Sequence, residues 1–238
     1  MKLNNFKILI FLFVLVSVFS LSKAQYVGPV VAMTGNVLDD VTHEPVNVWI
    51  NVTDSAGKKV NSVRSQASDG GYYYLTGLRP GNKYQVEIKQ RNYLRELVNI
   101  EIPNTDKYQE ISRDFLVKPL QRDAHLKLPV PPFELNKTKL RVGTEEYLMD
   151  YVNLFLNNTS VKIEIQCFPD NATDKNANSK LTNDRAKALF DFFTGKGIDK
   201  SRISMKGSAN VDTKFPPPNK KEAKGKRYIG PSYIVLID

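Results

Sequence analysis

Apolar residues change rhythm along this chain, and each change predicts a different kind of structure. From Ile8 to Leu21 they run almost without a break. From about residue 28 to residue 117 they alternate with polar residues in short runs, punctuated by Gly, Pro, Asn and Asp. That is the pattern of half-buried strands joined by turns. Val30 to Val37, Val46 to Val52, Val60 to Gln66, Tyr72 to Leu75, Tyr84 to Ile88, Leu94 to Ile102 and Ile111 to Val117 make about seven strands. Turn signals fall at Asp54-Ser-Ala-Gly57, Ser68-Asp-Gly-Gly71 and Leu78-Arg-Pro-Gly81. The spacing predicts a small all-β sandwich. Residues 118–132 carry Pro119, Pro129, Pro131 and Pro132 among polar residues and read as a stiff linker. From Phe133 the period lengthens. A short strand, Phe133 to Leu135, precedes a helix from Glu145 to Leu156 with Leu148, Tyr151, Val152 and Phe155 on one face. A strand from Val161 to Gln166, a helix from Leu181 to Phe193 and strands Arg202 to Met205 and Tyr233 to Ile237 follow. The order β-α-β-α-β-β predicts an α+β unit built as a two-layer sandwich.

The first apolar run decides the expected compartment. Lys2 and Lys7 precede it, it is too short for the roughly 20 residues that span a bilayer, and Ser22-Lys23-Ala24 offers small residues before Gln25. Residues 1–24 are therefore expected to be a secretory signal peptide, and no later run is apolar enough to span a membrane. The chain carries 34 Lys and Arg against 25 Asp and Glu. Without the three lysines of the leader it stays moderately basic, near +6. For an exported protein that charge points to anionic envelope polymers or membrane surfaces rather than nucleic acid. The single cysteine, Cys167, cannot form an internal disulfide, so the fold must hold by core burial. It reads as a small buried hydrophobe at a strand end. With only two histidines, His43 and His125, and one cysteine, no local signature of a catalytic triad, a metal site or a cofactor site stands out.

The suggestive chemistry lies between the third-last strand and the helix after it. Asp170 leaves the strand and Arg185 enters the helical run, fifteen residues later. Together they can face one small zwitterion: the acid meets an ammonium, the guanidinium fork meets a carboxylate, and amides at the helix start help hold that carboxylate.

Flanking residues give this chemistry a family context. From about residue 130 the chain resembles the OmpA-like carboxy-terminal domain. The turn Cys167-Phe168-Pro169-Asp170, then Asn178, Leu181-Thr182, Arg185-Ala186, Gly197-Ile198 and Arg202-Ile203 fall in the order of that family. The resemblance implies non-covalent binding of peptidoglycan, with Asp170 and Arg185 holding the diaminopimelate end of the stem peptide. Asn178, Asn171 and Thr173 are implied as supporting residues. The chain departs from the family at Cys167 and Pro169 and lacks the family's closing Asn-Arg-Arg-Val. The first half resembles the carboxypeptidase regulatory-like family, a transthyretin-like sandwich. Gly35-Asn-Val37, Thr42-His-Glu-Pro-Val46, Asp69-Gly-Gly-Tyr-Tyr73 with Leu78-Arg-Pro-Gly81, and Phe115-Leu-Val117 carry that likeness.

The expectation is a non-catalytic periplasmic envelope protein in three parts. A sandwich, residues 25–117, contacts a partner such as an outer-membrane complex. A linker, residues 118–132, leads to a peptidoglycan-binding domain, residues 133–238. Two alternatives stand beside it: an interaction subunit whose wall-binding pocket has decayed, and a secreted enzyme with dispersed catalytic residues.

Overall fold

Val31, Met33 and Val37 are each 2 % exposed or less and face a second layer of strands that carries Ile50, Val52, Val86 and Ile88. This alternation builds the first half of the computed structural model, which describes residues 28–218 and 227–237. The expected signal peptide and residues 219–226 of the Pro- and Lys-rich stretch lie outside the described residues.

Eight strands make this sandwich: β1 (Val31–Asp39), β2 (Trp49–Asp54), β3 (Lys59–Arg64), β4 (Tyr72–Leu78), β5 (Lys83–Lys89), β6 (Glu96–Glu101), β7 (Gln109–Ser112) and β8 (Phe115–Val117). One sheet runs β4-β1-β7, with β8 also on β1; the other runs β3-β2-β5-β6. The extra strand arises because the expected strand from Ile111 to Val117 is broken. Asp114 Oδ1 takes the Asn36 amide at 2.8 Å, in place of a strand carbonyl. Gly35 lies so close to the Arg113 carbonyl that a Cβ would overlap it. Both β7 and β8 pair with β1 in parallel, on either side of this interruption.

The second unit has sheet order β11-β10-β12-β9. Its elements in chain order are β9 (His125–Lys127), α1 (Thr144–Asn157), β10 (Ile163–Cys167), α2 (Lys175–Gly195), β11 (Ile203–Gly207) and β12 (Ser232–Leu236). This is the expected β-α-β-α-β-β order, with one displacement. The opening strand lies inside the stretch read as a linker, and Phe133 makes only an isolated bridge to Leu140. The reason is local: His125-Leu-Lys-Leu128 alternates, and Leu126 and Leu128 are buried in the core among Phe155, Ile165, Leu189 and Phe193. Proline flanks that edge strand without interrupting it.

The two units share a boundary. Leu94, between β5 and β6, is buried in the second core. The Asn158 side chain accepts from Arg95 N–H at 3.0 Å and donates to Arg95 C=O at 2.8 Å. Lys118 pairs with Glu96 at 3.3 Å and lies 5.8 Å from the Tyr151 ring centroid.

Candidate functional site

Strand β10 ends at Cys167, and the next three residues divide between the two faces of the sheet. Phe168 turns to meet Tyr233 edge-on at 5.8 Å. Pro169 and Asp170 are buried. The chain then makes a polar turn in which Asn171 Oδ1 accepts from the Thr173 amide at 3.0 Å and the Thr173 hydroxyl at 2.6 Å. Asp174 caps α2, its Oδ1 accepting from the amides of Asn176 and Ala177.

That cap corrects one expectation. The helix begins at Lys175, not near Leu181, so Arg185 lies well inside it. Two of the first amides of α2, those of Asn176 and Ala177, are taken by the Asp174 carboxylate, and Arg185 lies about two and a half turns further along the helix. Thr182 Oγ1 donates to carbonyls of its own preceding turn and to Ser208 C=O at 2.9 Å, which ties α2 to the chain after β11.

Arg185 instead turns back under the turn and meets Asp170. Nη1 donates to Oδ1 at 2.7 Å and Nη2 to Oδ2 at 2.8 Å, the bidentate fork geometry. Both side chains are 0 % exposed. The segment before α1 closes over them. Arg185 Nε donates to Lys137 C=O at 2.8 Å and Nη2 to Glu134 C=O at 3.0 Å. The guanidinium lies 5.2 Å from the Phe133 ring centroid. Asp170 Oδ2 accepts from the Asn136 amide and Oδ1 from the Gly230 amide, both at 2.8 Å. Burial alone would raise the Asp170 carboxyl. The Arg185 guanidinium, then the two amides, outweigh it and hold its pKa below the ordinary value.

The structure thus brings the expected residues together but gives them unequal roles. Asp170 and Arg185 satisfy each other. Asn178 is 3 % exposed and braces the turn, its Nδ2 donating to Asn171 C=O at 2.8 Å and to Ala209 C=O at 3.4 Å. Asn171 is half-buried, and Thr173 is exposed at the lip. Sequence reasoning missed Phe133, Glu134, Asn136, Lys137 and Gly230. Four of these act through backbone groups, which carry no side-chain signature. Asn136, at φ 56°, was the available hint, because asparagine tolerates the left-handed region. Gly230 is required by close approach: a Cβ there would overlap the Phe168 and Pro169 carbonyls.

The arrangement is electrostatic. Cys167 is fully buried, and burial pushes its thiol up to about 11, which suits packing rather than nucleophilic attack. Among the described residues no cluster of His, Cys, Asp and Glu is arranged to hold a metal ion. On the sheet face away from the helices, His125, Phe168, Asp212 and Tyr233 line a separate cleft, where the Tyr233 hydroxyl donates to Asp212.

Residues 132–227, which contain this ion pair and most of its cover, match the OmpA family. The matched segment is an OmpA-like domain. Among solved structures, the OmpA-like domain of FopA1 from Francisella tularensis subsp. tularensis SCHU S4 is 16% identical, with a TM-score of 0.37, over 50% of this chain and 83% of that one. A MotB-like protein from Desulfovibrio vulgaris is 19% identical, with a TM-score of 0.38, over 50% of this chain and 82% of that one. A 5-hydroxyisourate hydrolase from Klebsiella pneumoniae is 16% identical, with a TM-score of 0.30, over 37% of this chain and 90% of that one. The likeness to the Bacillus anthracis TIE protein spans only 16% of that protein's length. No curated protein matches the chain. No helix among the described residues of the chain, the OmpA-like domain included, is long and apolar enough to cross a membrane.

Proposed function

We propose that the protein is a non-catalytic component of the cell envelope whose OmpA-like domain binds peptidoglycan non-covalently. An OmpA-like domain is an envelope module of the peptidoglycan-binding type, and the family match over residues 132–227 supports that reading. In the finer assignment, Asp170 and Arg185 receive the zwitterionic diaminopimelate end of the stem peptide. Asn171, Thr173 and Asn178 shape the turn beside them. The sandwich contacts a further envelope component, such as an outer-membrane complex, and the protein works in the periplasm.

One observation carries the ligand assignment. The neutral backbone groups closed over the ion pair take the places that the two ends of a zwitterion would take. Two backbone carbonyls lie on Arg185, where a carboxylate would lie. Two backbone amides donate to Asp170, where an ammonium would donate. Ligand binding is then an exchange of partners, with residues 134–137 and Gly230 as the cover that moves. Exchange keeps both charges paired throughout, so the cost is displacing the cover rather than baring a buried ion.

The full burial of both side chains favours a second reading. Here the cover stays shut, the pair is a structural brace, and the domain is a docking module. Pro169, which has no amide to offer a ligand, favours the same reading.

Sedimentation with purified sacculi separates the two. The exported chain is expected to sediment with sacculi whose stem peptides carry diaminopimelate, and free meso-diaminopimelate should compete. Gly230→Ala, which disturbs the cover while leaving both charged side chains in the sequence, should alter that affinity. A folded parent that stays in the supernatant establishes the second reading. Equal sedimentation with lysine-type sacculi would rule out the diaminopimelate assignment.

A further inference from the structure

Strand β2 lies inside the sheet β3-β2-β5-β6. Ile50 and Val52 are fully buried, so Trp49, Asn51 and Thr53 point away from the core. Trp49 is the chain's only tryptophan and is 47% exposed. Its cross-strand neighbours are Arg64 on β3 and Lys89 on β5. Both cations are exposed. Among the described residues neither side chain has an ion pair or hydrogen bond, and no ring or cation stacks on Trp49. An open indole between two unpaired cations is an unusual use of an inner strand, where cross-strand side chains ordinarily cover or pair with one another.

The next row along the sheet is the opposite in character, because every group in it is engaged. Ser62 Oγ donates to Asn51 Oδ1 at 2.7 Å, Asn51 Nδ2 to Glu87 Oε2 at 3.3 Å, and Arg95 Nε to Glu87 Oε1 at 2.6 Å. This ladder holds amide, hydroxyl and carboxylate groups in fixed positions beside the indole.

We propose that this face of the sandwich binds an acidic glycan. The indole stacks on the apolar side of a sugar ring, the polar ladder meets ring hydroxyls, and Arg64 and Lys89 pair with ring carboxylates. Charge complementarity selects the acid. Ser62, Asn51 and Glu87 make the surface next to Trp49 a ladder of hydrogen-bonding groups, with the Glu87 charge already paired to Arg95, which suits the hydroxyls of a sugar ring better than the uniform phosphates of a lipid surface. A single aromatic gives one stacking position, short of the series that single-stranded nucleic acids use. The inference rests on the sandwich alone and is independent of how the OmpA-like domain binds.

Because Trp49 is the only tryptophan, its emission reports directly on the site. Titrating the full chain with oligogalacturonate or with hyaluronan oligosaccharides should produce a saturable emission change. The methyl-esterified oligogalacturonate should bind about tenfold more weakly, or worse. By calorimetry, Trp49→Ala should abolish binding, and Arg64→Gln with Lys89→Gln should weaken it at least about tenfold. All three side chains are exposed, so thermal melting should not move, and sedimentation of Trp49→Ala with sacculi should be retained. The proposal is overturned if neither acidic oligosaccharide changes the emission, or if Trp49→Ala binds with parental affinity. It is equally overturned if anionic vesicles or single-stranded DNA shift the emission while the oligosaccharides do not.

Discussion

Removing one member of the Asp170–Arg185 pair leaves the other charged in a place water does not reach. Asp170→Ala is therefore expected to cost about 3–5 kcal/mol in urea unfolding, far above the roughly 0–1 kcal/mol of an exposed pair. Replacing both residues with apolar side chains should cost much less than the two single changes combined. That non-additivity is the measurable sign that the pair acts as a unit. The carboxyl also sets a pH dependence. Its folded pKa lies below the ordinary 3.8, so the unfolded chain takes up the proton first as pH falls. Its contribution is present in full above 3.8 and is lost as the pH drops through the lower folded value. Urea midpoints measured down to strongly acid pH should show this decline, and Asp170→Asn should flatten it.

At the scale of elements, the start of α2 decides how the site is presented. Asp174 holds two of the first helical amides, and Asp174→Ala is expected to cost about 1 kcal/mol of stability. The same change should loosen the turn that carries Asn171 and Thr173, seen as faster amide exchange at Thr173, Asn176 and Ala177. The helix could have been read to its true start: Asp174 followed by Lys-Asn-Ala is a capping sequence, but the polar run to Lys180 hid it from an apolar-period reading. Edge strand β9 was obscured in the same way, because the prolines around His125-Leu-Lys-Leu128 outweighed its short alternation. The split of β7 from β8 had no sequence signal of its own. It depends on Asp114 meeting Asn36, residues 78 positions apart in sequence.

Across the whole molecule, the two units meet through Asn158, whose side chain closes two hydrogen bonds on the Arg95 backbone. Leu94 is buried beside it in the second core. The chain should therefore unfold as one cooperative transition in calorimetry. Asn158→Ala, which also removes a bond to Leu154 C=O, should cost about 1–3 kcal/mol and separate the transition into two. These contacts join the unit that carries the Trp49 face to the unit that carries the Asp170–Arg185 pair.

Alternation, turn residues and the change of period were enough to read an all-β sandwich followed by a β-α-β-α-β-β unit, since both follow from where apolar side chains must go. The acid and the arginine were legible too, by type, spacing and flanking residues. What the tertiary structure decided is the state of that pair. Residues 134–137 and Gly230, distant in sequence from Asp170 and Arg185, bring backbone carbonyls to the guanidinium and backbone amides to the carboxylate. Every residue except proline carries those carbonyl and amide groups, so no choice of side chain announces where they will converge. The sequence could therefore specify the charges, while only the folded chain could determine that they close on each other.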